Sequence, residues 1–182
     1  NFWRGRSSGS MGRTCADKIG MLATVMNCLA VADQLRQLGV PAQVQTSIVM
    51  SQVASVFTRD SAVESMEAGN VVLFGGGTGN PLFSTDTASA LRAIETGCDV
   101  MFKATMVDGV YDKDPKKYAD AVKYDQLTFT EVLEKNLAVM DGTAATLCRE
   151  NKLPILVFDL KDPDNIARAV RGEAVGTLVV EE

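Results

Sequence analysis

The chain contains no histidine. That removes the side chain most used for proton transfer near neutral pH, and the commonest metal ligand. The cysteines do not restore a metal site. There are four, Cys15, Cys28, Cys98 and Cys148, irregularly spaced and without a C-x-x-C pair, so a zinc site is not expected. Cys28, Cys98 and Cys148 lie in or beside apolar or helical stretches, which suggests buried thiols. Thiols left unpaired suit a reducing cytoplasm. Excess positive charge is also missing. The net charge is −5, which argues against binding a nucleic acid polymer. No signal peptide is visible. The longest apolar stretch, residues 19–32, is interrupted by Thr24 and Asn27, so no membrane span is expected. Two common phosphate motifs are absent as well. No Gly-Lys pair occurs, which excludes G-x-x-x-x-G-K-[ST]. A dinucleotide fingerprint starting at Gly75-x-Gly77 would need glycine at position 80, which is asparagine.

What is present fits a globular chain. Of 182 residues, 46% are apolar and 23% charged, enough for one domain over residues 1–182 with a sizeable core. Residues 17–38 carry Ile19, Leu22, Val25, Met26, Leu29 and Leu35 at helical spacing, and Gly39 supplies a stop. Alternation over residues 44–50 predicts a strand. A short helix is expected over 61–68, buried strands over 71–74, 100–102 and 155–158, and a last strand over 178–180. Further helices are expected over 85–95 and 164–170. Thr128-x-x-Glu131 resembles a capping box for a helix over 131–135. Asp141 is placed to cap a helix reaching residue 151. Helices alternating with short apolar strands predict an α/β fold, a mainly parallel sheet with helices on both faces.

The most informative stretch is Gly75-Gly76-Gly77-Thr78-Gly79-Asn80-Pro81, closing with Thr85-Asp86. It lies between a predicted strand and a predicted helix. Glycines let backbone approach a ligand closely, and a helix N-terminus offers unpaired N–H groups and partial positive charge. Together they suit a phosphate.

The run from Gly76 to Asp86 resembles the acceptor-nucleotide loop of bacterial uridylate (UMP) kinases, members of the amino acid kinase superfamily. The likeness continues in Lys103-Ala104-Thr105, in Val107-Asp108-Gly109-Val110-Tyr111 and in Asp114-Pro115. It extends to residues 20–27, Val139-Met140-Asp141 and Lys152-Leu153-Pro154-Ile155. Asn1-Phe2-Trp3-Arg4-Gly5 is similar to the tail of a motif that opens with further glycines. The likeness spans nearly the whole chain and implies a three-layer sandwich. It also implies an N-terminal segment, carrying a phosphate-gripping lysine loop, that is missing here.

The resemblance implies transfer of the γ-phosphoryl group from ATP, with Mg2+, to UMP in pyrimidine nucleotide biosynthesis. Thr78, Gly79, Asn80, Pro81, Leu82, Phe83, Ser84 and Thr85 would then line the UMP site. Asp17 would hold the uridine end; a plain helix cap is its other reading. Thr105, Tyr111 and Asp114 would form the ATP site, with loop packing and turn formation as the alternatives for Tyr111 and Asp114. Arg4 would bridge phosphates between both nucleotides, or be a solvated loop arginine. Asp86 and Asp141 would orient a catalytic lysine and the transferred phosphoryl, unless each is only a helix N-cap. The family pattern departs at Ser84, usually threonine, at Gly75, and at Met106, often lysine. A homohexamer answering to GTP and UTP is the assembly implied. Another superfamily kinase, acting on an amino acid or carbamate, and a non-catalytic nucleotide-binding fragment are the competing readings.

Overall fold

The computed structural model describes residues 11–137 and 139–181. Arg4 lies outside the described residues. The chain divides into two compact units between Thr96 and Gly97.

The first unit opens with α1 (Arg13–Gln37), followed by β1 (Ala42–Thr46) and β2 (Ser55–Val56). Then come α2 (Arg59–Glu67), β3 (Val71–Gly75) and α3 (Thr85–Glu95). The strands order as β2-β1-β3, all parallel, with Ala42 opposite Val71 and Thr46 opposite Gly75. Their core gathers Ala32 from α1 with Ala42, Val44 and Ala54, sealed by Cys28, Leu29, Leu35 and Leu73. The core side chains are small, so α1 lies close to the sheet. A Cβ added to Gly75 would sit 3.0 Å from the Val25 backbone.

α1 begins four residues before Asp17. Its N-cap is Gly12, which makes no side-chain cap, so no capping signal marks the start. Asp17 is therefore not a helix cap. By length and composition α1 also qualifies as a membrane span, contrary to expectation. Here it packs against β1 and β3, and Thr24, which interrupts its apolar run, serves the neighbouring loop. The strand expected over 44–50 ends at Thr46. Beyond it the chain turns, with the Ile48 N–H donating to Thr46 Oγ1 at 3.1 Å.

The second unit holds β4 (Met101–Thr105), β5 (Val110–Tyr111), β6 (Lys123–Tyr124) and β7 (Gln126–Thr128). These precede α4 (Phe129–Glu134), α5 (Gly142–Glu150), β8 (Ile155–Asp159), α6 (Asp164–Val170) and β9 (Thr177–Val180). The sheet order is β4-β8-β9-β7; β4 and β8 run parallel, as do β7 and β9, while β8 and β9 are antiparallel. Phe158 meets Phe102 edge-on at 5.8 Å and packs with Ala169 and Val175. The expected capping box is present: Thr128 Oγ1 accepts from the Glu131 N–H at 3.1 Å, and Glu131 Oε2 accepts from the Thr128 N–H at 3.0 Å. The antiparallel β5–β6 pair was not expected, because two-residue strands leave no period to read.

The mainly parallel strands and interleaved helices are the α/β class that the alternation predicted. The cysteines divide differently. Cys148 is buried, and burial pushes its thiol up to about 11. Cys28 is half-buried, whereas Cys15 and Cys98 are exposed. Cys98 is thus not the buried thiol expected; it follows α3 after the turn at Gly97, whose φ is +71°.

Candidate functional site

In the first unit, α1, the loop over residues 76–84 and the start of α3 enclose a cavity of about 360 Å3. The loop geometry follows from its glycines. Gly76, Gly77 and Gly79 have φ of +82°, +61° and +86°, a region that costs glycine little. Space enforces the same choice at two of them. A Cβ on Gly76 would press on Thr46 Oγ1 at 3.0 Å, and one on Gly79 would meet the Ser47 carbonyl oxygen at 3.2 Å.

The loop is tied down from behind. The Gly76 N–H donates to Thr24 Oγ1 at 2.9 Å, and that hydroxyl donates to the Met21 carbonyl at 2.6 Å. Ser47 Oγ donates to the Gly77 carbonyl at 2.8 Å. The Gly79 N–H returns to the Gly76 carbonyl at 3.1 Å. Further along, the Leu82 N–H donates to Asp17 Oδ2 at 2.8 Å. This bond holds Leu82, whose φ is +79°, in a conformation costly for a branched residue. The Asp17 side chain is only 8% exposed and lies 3.8 Å from Arg13.

Ser84 then caps α3, its Oγ accepting from the Thr87 N–H at 3.0 Å. Asp86, one of two acids read as a possible N-cap, is not one; it sits in the first turn of α3. A carboxylate there is favoured by the positive helix end. Asp141 does cap its helix: Oδ1 accepts from the Ala144 N–H at 3.0 Å.

Of the residues expected around UMP, the fold brings Asp17, Thr78, Asn80, Phe83, Ser84 and Thr85 together on the cavity wall. Gly79, Pro81 and Leu82 do not line it. Gly79 shapes the turn, and the Leu82 side chain faces solvent at 56% exposure. Asp86 is one residue past the cavity wall. Gly20, Met21 and Thr24 line the cavity too, and were not assigned roles from sequence. Their signal is helical spacing: positions 17, 20, 21 and 24 share one face of α1.

A cavity walled by a glycine turn, a helix start and a buried carboxylate suits a phosphorylated ligand carrying hydrogen-bond donors at its far end. Comparison with known proteins gives that geometry a lineage. Residues 5–159 match the amino acid kinase family. The chain belongs to the amino acid kinase family. Among solved structures it is similar to the UMP kinase of Bacillus anthracis, with 38% identity and a TM-score of 0.92 over 94% of this chain and 71% of that one. It is also similar to the UMP kinase of Ureaplasma parvum, with 36% identity and a TM-score of 0.90 over 94% of this chain and 73% of that one. The uridylate kinase of Archaeoglobus fulgidus gives 32% identity and a TM-score of 0.69, over 94% and 74%.

In this member of the amino acid kinase family the residues expected around ATP lie in the second unit. Thr105 ends β4, and its Oγ1 accepts from the Val107 N–H at 3.3 Å. Asp114 organises a turn: Oδ1 accepts from the Lys116 N–H at 3.0 Å, and Lys117 lies 3.7 Å from Oδ2. Tyr111 stands on β5, its hydroxyl donating to Asp108 Oδ1 at 2.7 Å. Asp108 was not singled out from sequence, since an acid in a turn-rich loop carries no distinctive signal.

The Tyr111–Asp108 bond moves both groups. It holds the Asp108 carboxyl below its usual range, helped by a backbone N–H and by Lys123 at 3.4 Å. It raises the Tyr111 phenol above its ordinary value, with burial and the Asp108 charge adding to it. The raised phenol stabilises the fold at pH below the ordinary tyrosine value, and that contribution is lost as pH rises through the folded value. For Asp108 the contribution is present above the ordinary carboxyl range and lost as pH falls through the depressed value. Asp108→Asn is expected to move Tyr111 ionisation back down toward about 10. Phenolate absorbance during an alkaline titration, with Tyr111→Phe identifying the signal, reads this. An unmoved Tyr111 titration would mean that the pair does not form.

Proposed function

We infer that the chain transfers the γ-phosphoryl group of ATP to UMP, giving UDP and ADP. The observation that carries this reading is the cavity of the first unit. Its glycine turn and α3 N-terminus suit the acceptor phosphate, while Asp17 supplies a buried acceptor for the uracil N–H or ribose hydroxyls at the other end. Likeness to UMP kinases at 32–38% identity supports the same assignment.

The chemistry agrees with a chain that has no histidine. The UMP phosphate is ionised at neutral pH, so the attacking oxygen needs no strong base. Alignment and charge stabilisation then supply the rate. Mg2+ bound to ATP would neutralise the donor phosphates. It takes most of its ligands from phosphate and water and needs few protein carboxylates.

We assign acceptor binding to the first unit and ATP binding, through Thr105, Tyr111 and Asp114, to the second, with residues 1–182 acting as one kinase domain in the cytoplasm. Assembly through α1 is part of this reading. Leu22, Met26 and Val31 stand exposed on that helix, and exposed apolar side chains on one helix suit a subunit contact within a homohexamer.

ADP release by the full-length enzyme with UMP, CMP and AMP as acceptors tests the assignment. UMP is expected to react about 10²-fold faster or more, since a site built to bond a specific group rejects analogues lacking it. Equal rates with all three would remove the acceptor reading.

A further inference from the structure

Arg92 lies on α3 outside the cavity wall, yet its side chain is only 9% exposed. Its guanidinium stacks over the Phe57 ring, 3.8 Å from the centroid, and Phe57 meets Phe74 edge-on at 5.4 Å. One terminal nitrogen, Nη1, bonds Glu95. The other, Nη2, donates to Ser47 Oγ at 2.8 Å. Nε is buried with no hydrogen-bond partner. Burying a guanidinium with a donor unsatisfied is costly. An apolar side chain could fill the same space against Phe57 without that cost.

The geometry points to a positional role. Ser47 Oγ accepts a hydrogen bond from Arg92 and donates its own to the Gly77 carbonyl, each at 2.8 Å. A trans peptide directs its C=O and N–H opposite ways. Fixing the Gly77 carbonyl against Ser47 therefore fixes the direction of the Thr78 N–H at the opposite edge of the same planar peptide. Gly77 and Thr78 both line the cavity. At φ of +61° Gly77 has no side chain to hold that plane itself; the bond from Ser47 does so. A neutral Ser47 hydroxyl left alone could rotate, because it has one proton and several acceptors within a turn. A charged donor at 2.8 Å occupies its lone pair and leaves the proton for Gly77.

We propose that Arg92 is a positioning residue, which through Ser47 presets the Gly77–Thr78 peptide to receive the acceptor's phosphate. The proposal rests on the acceptor-site reading above. It predicts coupling that packing alone would not produce. UMP binding to the full-length enzyme, measured by calorimetry for Arg92→Met, Ser47→Ala and the double variant, reads that coupling. Each single change is expected to weaken UMP binding about tenfold, the scale of one charge-assisted hydrogen bond. The double variant is expected to be no weaker than the worse single, with ATP affinity within about twofold of wild type. Single variants that bind UMP as wild type does, or losses that multiply in the double, overturn it.

Exchange of the Gly79 amide in the ligand-free protein supplies a readout without UMP, because that N–H is bonded within the same turn. Faster exchange in the variants supports the relay, and unchanged exchange overturns it. If wild type does not bind UMP, the acceptor reading fails and exchange alone judges Arg92. If Arg92→Met does not fold, Ser47→Ala carries both measurements.

Discussion

Asp86→Asn is expected to lower the kcat of the full-length enzyme by about 10²–10³-fold, the usual loss when one well-placed transition-state stabiliser is removed, here a group that Asp86 orients. The KM for UMP should change little, since Asp86 sits one residue beyond the cavity wall formed by Thr85. Magnitudes separate the two roles open to this acid. As a first-turn carboxylate it gains about 0.3–1 kcal/mol from the helix dipole, which displaces a melting temperature by a few degrees at most. As a group orienting the reacting phosphoryl it is worth several times that in the barrier. Since Ser84, not Asp86, caps α3, the asparagine variant keeps the helix start intact. Steady-state kinetics beside a thermal melt decide the matter. Near-normal turnover with a slightly lower melting point would reduce Asp86 to a helix-end charge.

Asp17→Ala is expected to raise the KM for UMP by about 10–100-fold while that for ATP stays near wild type. A hydrogen bond to a charged group is worth about 1.5–3 kcal/mol. Asp17 has two tasks in this reading. It accepts the Leu82 N–H, and it offers its remaining lone pairs to the ligand. Asp17→Asn separates them. Its amide oxygen still accepts from Leu82, but the charge is gone and two donors have been added. If Asp17 only anchors the loop, Asn should restore UMP binding to near wild type. If it binds the uridine end, Asn should bind UMP nearly as poorly as Ala. Equal rises in both KM values would refute a role confined to the acceptor.

Long, periodic or punctuated elements were legible in the sequence. Residues 85–95 and 164–170 were bounded correctly because Gly97 and Gly172 follow closely as stop signals. The capping box at Thr128 and Glu131 and the cap at Asp141 were legible for the same reason: the signal is a residue type at a fixed offset. The start of α1 was not legible. Gly12 caps it without a side chain, so the first turn, with Ala16 on the cavity wall, looked like loop. The β5–β6 pair was invisible, and with it the bond from Tyr111 to Asp108.

The glycine turn was readable as a phosphate seat from its composition. Its supports were not. Thr24, Ser47 and Arg92 lie far apart along the chain and individually resemble a mid-helix threonine, a serine in a predicted strand and a surface arginine. Burial and distance alone show that they hold the turn.

The sequence by itself thus determined the chemistry on offer. It offered no histidine, excluded the P-loop motif and a dinucleotide fingerprint at Gly75, and placed a glycine turn between a strand and a helix. Those are properties of residue type and local spacing, which do not depend on the rest of the fold. The tertiary structure decided which side chains face the turn and which stand behind it. That required α1 to pack against β3 closely enough for Thr24 to reach Gly76 and Asp17 to reach Leu82. Hydrogen bonds of this kind act over about 3 Å between residues more than fifty positions apart, so only packing can make them.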